Sequence, residues 1–230
     1  MRTMGLIGGM SWESSAEYYR LVNESVRAAL GGQHNAKSLM ATVDFAEIEA
    51  LQRKGDWEAS ARILAEAAAA LERGGADFIA LCTNTMHVVA EAIEDAIEVP
   101  FVHLVDAVAE SVKAAGSTRV GLLGTRFTME MGFYADRMAM HGVEVLVPTA
   151  EEREAVHEII YGELTLGKVR EESREVYREV MAALAARGSE GIVFGCTEIT
   201  LLVDASDSPV PVFDSTRIHT ERLVELALRP

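Results

Sequence analysis

Only two of the 230 residues are cysteine, too few for a disulfide framework. Clusters of four or six Cys and His at metal-ligand spacing are also missing, so no metal is expected. Long apolar runs are absent: Phe78–Cys82 is a quarter of the roughly 20 residues that a membrane span needs. Basic residues are few, 21 Lys and Arg against 36 Asp and Glu, for a formal charge of −15. They form no run, which argues against a nucleic-acid or anionic-membrane surface. The start, Met1 to Gly9, has one charge and an apolar stretch broken at once by Gly8 and Gly9, unlike a secretion signal. The expectation is a cytoplasmic protein with reduced thiols. What remains is ordinary globular composition, 49% hydrophobic and 25% charged, enough for one large domain or two small ones.

Short Val/Ile/Leu-rich runs alternate with longer helical patterns. Candidate strands are Met4–Gly8, Met40–Phe45, Phe78–Cys82, Pro100–Leu104, Val120–Gly124, Val143–Val147, Ile192–Cys196 and Val210–Phe213. Helical stretches include Trp12–Ala29, Ala59–Arg73, Arg170–Arg187 and Ile218–Leu228. The strands lack polar alternation, as strands covered on both faces should. This order predicts an α/β fold with mainly parallel sheet.

An internal repeat divides the chain. Arg73-Gly74 and Cys82-Thr83 recur as Arg187-Gly188 and Cys196-Thr197, 114 residues later. Gly5-Leu-Ile-Gly8 recurs as Gly121-Leu-Leu-Gly124, and Val99-Pro100-Phe101 as Val210-Pro211-Val212. Two similar α/β halves follow, with a Gly loop after the first strand of each and a Cys-Thr after a later one. The expected division is residues 1–100 with 212–230, and 101–211.

Ligands of open parallel sheets bind outside the carboxyl ends of the strands. Cys82 and Cys196 each stand at such an end, before an expected helix whose free N–H groups should lower the thiol pKa. A repeated Cys-Thr at both strand ends favours a functional pair over buried packing residues. Two related thiols suit removal of a proton from one face of a carbon and its return on the other. Thr83, Asn84, Thr85 and Thr197 lie where a carboxylate would be held.

The stretches Gly5-Leu-Ile-Gly-Gly-Met-Ser-Trp-Glu-Ser14, Leu81-Cys-Thr-Asn-Thr-Met-His87, Leu123-Gly-Thr-Arg126, Phe194-Gly-Cys-Thr-Glu-Ile199 and Pro211-Val-Phe-Asp214 resemble the aspartate/glutamate racemase family. So do Val43-Asp-Phe45 and Gln52-Arg53. The resemblance covers nearly the whole chain and looks closest to the broad-specificity amino-acid racemase branch. It implies two flavodoxin-like domains related by a pseudo-two-fold, with the site in the cleft between them. It also implies no pyridoxal phosphate, no metal, and a homodimer acting on small amino acids. Carried over by motif, Cys82 and Cys196 would be the acid/base pair. Met10, Gln52, Thr83, Asn84, Thr85, Thr125 and Thr197 would line the substrate pocket.

Aspartate-selective relatives are expected to grip the side-chain carboxylate with an Arg after the second strand and a Lys before a Gly in the second half. Here those stretches read Ala46-Glu47-Ile48 and Glu163-Leu-Thr165-Leu-Gly167, leaving Arg53 and Lys168 as nearby substitutes or as solvated charges. His87 is expected as a supporting partner behind Cys82 or as a packed helix residue, and His103 as core. Glu198, beside Cys196, is expected to orient that thiol; its counterpart in the repeat is Asn84. The alternatives are an isomerase, hydantoin racemase or decarboxylase for another small carboxylate, a two-lobed binding protein, or a thiol redox switch.

Overall fold

A computed structural model describes residues 1–229 of the chain. It comprises two compact units, Met1–Leu104 with the chain from His219 onward, and Val105–Ile218. The first runs β1 (Met4–Gly8), α1 (Trp12–Leu30), β2 (Ser38–Thr42), α2 (Phe45–Lys54), α3 (Trp57–Arg73), β3 (Phe78–Leu81), a 3-10 turn (Thr85–Val89), α4 (Ala90–Glu94) and β4 (Phe101–Val102). Helix α5 (Leu104–Ala114) leads into the second, which runs β5 (Arg119–Gly124), α6 (Arg126–Glu130), α7 (Phe133–Met140), β6 (Glu144–Leu146) and α8 (Ala150–Gly162). It continues with α9 (Glu171–Ala186), β7 (Ile192–Gly195), α10 (Ile199–Leu202) and β8 (Val212–Asp214), and α11 (Ser215–Leu228) returns the chain to the first unit.

Each unit holds a four-stranded, all-parallel sheet, in the orders β2-β1-β3-β4 and β6-β5-β7-β8. The matching orders are flavodoxin-like, with the first strand of each unit inside the sheet. The sequence division needs correcting at both ends. Phe101–Val102 pairs with β3 of the first sheet, and Val212–Asp214 with β7 of the second. Strand β2 also departs from expectation: as an edge strand it is only partly covered, with Met40 and Thr42 exposed.

The period of two along each strand decides which helices a side chain meets. In the first unit Met4, Leu6, Phe78, Ala80 and Cys82 pack with Tyr18 and Val22 of α1 and Leu223 of α11. Ile7, Ile79 and Leu81 face the other way, onto Ile48 of α2 and Leu64 and Ala68 of α3. In the second unit Leu123, Ile192 and Phe194 pack on Val156 of α8 and Tyr177 and Leu184 of α9.

The backbone repeats, but not in the register that the sequence suggests. Ile79 pairs with Gly5, and Ile192 with Gly121; their N–H groups donate to the Pro100 and Pro211 carbonyls respectively. The left-handed Gly75 and Gly188 (φ 93° and 95°) precede these strands at the same spacing. Strand β7 thus follows β3 at 113 residues, not 114. Cys82 corresponds to Gly195, and Cys196 to Thr83. A one-residue shift along a strand turns a side chain to the opposite face, so the two cysteines do not occupy equivalent positions.

Candidate active site

In the first unit the turn after β1 is tight. Gly9 has φ 93°, and a Cβ there would lie 2.2 Å from the Val43 carbonyl oxygen. The Gly9 N–H donates to Ser15 Oγ at 2.8 Å, and Ser11 caps α1 by accepting from the Ser14 N–H. Met10, leaving this turn, is buried in the cluster that includes Ile48 and Met86. Gln52 reaches the same place from α2, its amide donating to Met86 Sδ at 3.0 Å.

Beside this turn, β3 delivers Cys82, whose N–H donates to the Ile7 carbonyl at 2.9 Å. The thiol is fully buried, and burial pushes its pKa far up. Thr83, Asn84 and Thr85 follow, all buried. The buried oxygens Gln52 Oε1 and Asn84 Oδ1 have no hydrogen-bond partner. His87 Nδ1 lies 2.8 Å from the Thr83 carbonyl oxygen, so its side chain supports this turn from behind.

In the second unit Gly124 and Gly195 pair, setting the ends of β5 and β7 side by side. Thr125 follows β5 and caps α6: its hydroxyl accepts from the Thr128 N–H and lies 3.2 Å from Thr128 Oγ1. Cys196 stands one residue past β7 and is only partly buried; its thiol donates to Glu198 Oε2 at 2.9 Å. Thr197 Oγ1 lies 3.4 Å from Thr216 Oγ1, at the start of α11.

The expected lowering of the thiol pKa values is not what the structure produces. Cys196 is pushed well up, first by burial, then by the negative charge of Glu198 and the hydrogen bond to it; the Thr197 and Glu198 N–H groups oppose this but lose. The segments after the cysteines explain the weakness of that opposition. They are a 3-10 turn and the four-residue α10, too short for a strong helix dipole.

Arg53 is exposed and paired with Glu49 at 3.1 Å, one position from the buried Gln52 on α2. Lys168 is exposed beyond a 3-10 turn, Leu164–Leu166. Sequence reading missed Met86, Thr216 and Tyr177, whose hydroxyl pKa is pushed well up, first by burial. Met86 stood inside a quoted motif; Tyr177 carried no signal, being one apolar position of a long helix. Among the described residues no group of three or more His, Cys, Asp or Glu is placed to hold a metal ion, and no helix is long and apolar enough to cross a membrane.

A Yersinia pestis protein provisionally described as an Asp/Glu racemase is 53% identical over the whole of both chains, with a TM-score of 0.95. An aspartate racemase homologue from Pyrococcus horikoshii is 37% identical, also over the whole of both, with a TM-score of 0.88. The broad specificity amino-acid racemase of Bacillus subtilis is 26% identical over 164 residues, 70% of this chain and 69% of that protein. The family model for Asp/Glu/hydantoin racemases matches residues 7–223, a span that includes Cys82 and Cys196, and the chain belongs to that family.

Proposed function

We propose that the protein is a racemase of free amino acids that uses Cys82 and Cys196 as two bases, without pyridoxal phosphate or a metal. The observation that carries this reading is the placement of one free thiol, followed by Thr, at the carboxyl end of a central strand in each sheet. A thiolate on one face takes the α-proton, and the electron pair delocalises toward the substrate carboxylate. The thiol on the other face gives its proton to the α-carbon and becomes the thiolate. Substrate binding must help to form the first thiolate, since burial keeps both thiols protonated. An ammonium about 4–6 Å from sulfur favours the charged form, and Glu198 is positioned to take the Cys196 proton.

The orphaned acceptors Gln52 Oε1 and Asn84 Oδ1 support an amino-acid substrate, whose ammonium brings donors that the free protein lacks. Thr83 and Thr197 would hold the carboxylate, with Met10, Thr85 and Thr125 completing the pocket. The exposed positions of Arg53 and Lys168 favour broad over strictly acidic specificity, because a buried side-chain carboxylate without a cation is costly. The Bacillus subtilis relative is named for broad specificity. The same reading takes the protein as a cytoplasmic homodimer.

The test is α-hydrogen exchange in D₂O with separate L- and D-amino acids. Cys82→Ser and Cys196→Ser should each abolish racemisation, the hydroxyl being a far weaker acid/base group near neutral pH. Each should still exchange one enantiomer, and the two should choose opposite ones. Exchange of the same enantiomer by both, or wild-type racemisation by either, would defeat the two-thiol reading.

A further inference from the structure

Two buried histidines of the first unit hold backbone groups near Cys82, and their bonds fix their protonation. His87 Nδ1 lies 2.8 Å from the Thr83 carbonyl oxygen, so this nitrogen carries the hydrogen. Its Nε2 accepts from the Leu104 N–H at 3.2 Å, so that nitrogen is bare. His219 shows the opposite arrangement. Its Nε2 faces the Val102 carbonyl at 2.9 Å and must donate, while its Nδ1 lies 2.9 Å from the Tyr18 hydroxyl and accepts from it. Each ring is satisfied on both sides by a single neutral tautomer. The rings are 6.2 Å apart, and His103 lies 4.6 Å from His87. Between them the two side chains grip Val102 and Leu104 on either side of His103.

We infer that His87 is a positioning residue for the Cys82 half of the reaction, acting as the neutral Nδ1–H tautomer. Its ring takes the Thr83 carbonyl, the group that an α-helical turn would have given to the N–H of residue 87. Here that N–H donates to the Asn84 carbonyl, as a 3-10 turn requires. The ring therefore sets the direction of the Thr83–Asn84 peptide, the one joining Cys82-Thr83 to Asn84, whose side-chain oxygen is orphaned. Its other nitrogen ties the same turn to the first N–H of α5. A side chain that merely filled the space would leave the Thr83 carbonyl unsatisfied in a buried place. The inference rests on the reading of Cys82 as an acid/base group, and its test separates the two.

Long-range ¹H–¹⁵N spectra of the histidine-labelled protein at pH 7 should show His87 as the Nδ1–H tautomer, whether or not the protein turns over any substrate. An Nε2–H pattern, or an imidazolium, would overturn the inference by itself. The activity arm uses α-hydrogen exchange in the single-cysteine backgrounds. In Cys196→Ser, where Cys82 alone acts, His87→Leu should slow exchange at least tenfold. His87→Asn, which offers an N–H near the Nδ1 position, should recover most of that loss. In Cys82→Ser, where Cys196 alone acts, His87→Leu should slow exchange at least threefold less than it does in Cys196→Ser, the loss there being confined to the Thr83 and Asn84 contacts that hold the substrate in both backgrounds. Equal losses in both backgrounds in protein with an unchanged melting midpoint would overturn the positioning role. If no background exchanges α-hydrogen but the tautomer is as stated, the two-thiol reading fails and the histidine geometry stands.

Discussion

Acid should unfold this protein partly through His219, and the effect can be worked out from the structure. The ring is fully buried and fixed neutral between the Tyr18 hydroxyl and the Val102 carbonyl. Desolvation lowers its pKa from 6.5 to about 4, against a smaller raising effect of the Val102 bond. Between those values the unfolded chain binds a proton here and the folded chain does not. Stability is therefore complete above about pH 6.5 and is lost as pH falls toward 4. The loss is about 2 kcal/mol at pH 5 and levels off near ~3 kcal/mol below pH 4, at 1.36 kcal/mol per unit. In a protein of this size 2 kcal/mol corresponds to roughly 4–8 °C of melting temperature. His87 acts in the same direction, and Asp204, Asp207 and Glu190, held below the ordinary carboxylate range, add their own losses at lower pH. Urea unfolding of wild type and His219→Gln at pH 7.5 and pH 5 separates these contributions, because those of the other groups largely cancel in the difference. The variant starts from lower stability at pH 7.5, having lost a buried pair of hydrogen bonds. Its further loss on going to pH 5 should be about 2 kcal/mol smaller than that of wild type. Equal losses in the two proteins would refute the reasoning.

Glu198→Gln removes the negative charge that helps to keep the Cys196 thiol protonated, so the thiol should ionise at lower pH. Iodoacetamide labelling of Cys196, followed by mass spectrometry across pH 7–10, should show the rise in rate moved to lower pH; an unmoved or upward profile contradicts the contact. Gly9→Ala forces a side chain into the backbone of Val43 from a left-handed conformation and should cost about 2–4 kcal/mol. Gly55→Ala, in the left-handed helical region (φ 71°, ψ 19°) with nothing within 4 Å of the added Cβ, should cost only about 1 kcal/mol. Similar urea midpoints for the two variants would show that the close approach at Gly9 is not felt.

Local sequence was enough to recover every strand and the alternation of strand with helix, because parallel strands are continuous apolar runs and each helix carries its own period. The Cys-Thr pairs and the glycine turns were legible for the same reason: the chemistry and the backbone freedom belong to the residue itself. The division into units was less legible. Val212–Asp214 reads like any short strand, and only its pairing with β7 assigns it to the second sheet. Register was beyond the sequence altogether. Aligning Cys on Cys gives a spacing of 114, while pairing of Ile79 with Gly5 and Ile192 with Gly121 gives 113. That single residue accounts for one thiol in an apolar core and the other beside a carboxylate. The thiol pKa values went the same way: a strand end promises helpful N–H groups, but the depth of burial that overrules them is a property of the packed helices. The histidines make the point most plainly. His87, His103 and His219 are scattered along the chain without ligand spacing, and only the folding of α11 back onto the first unit brings their rings together. Their tautomers then follow from which backbone groups they meet, which no single stretch of sequence contains.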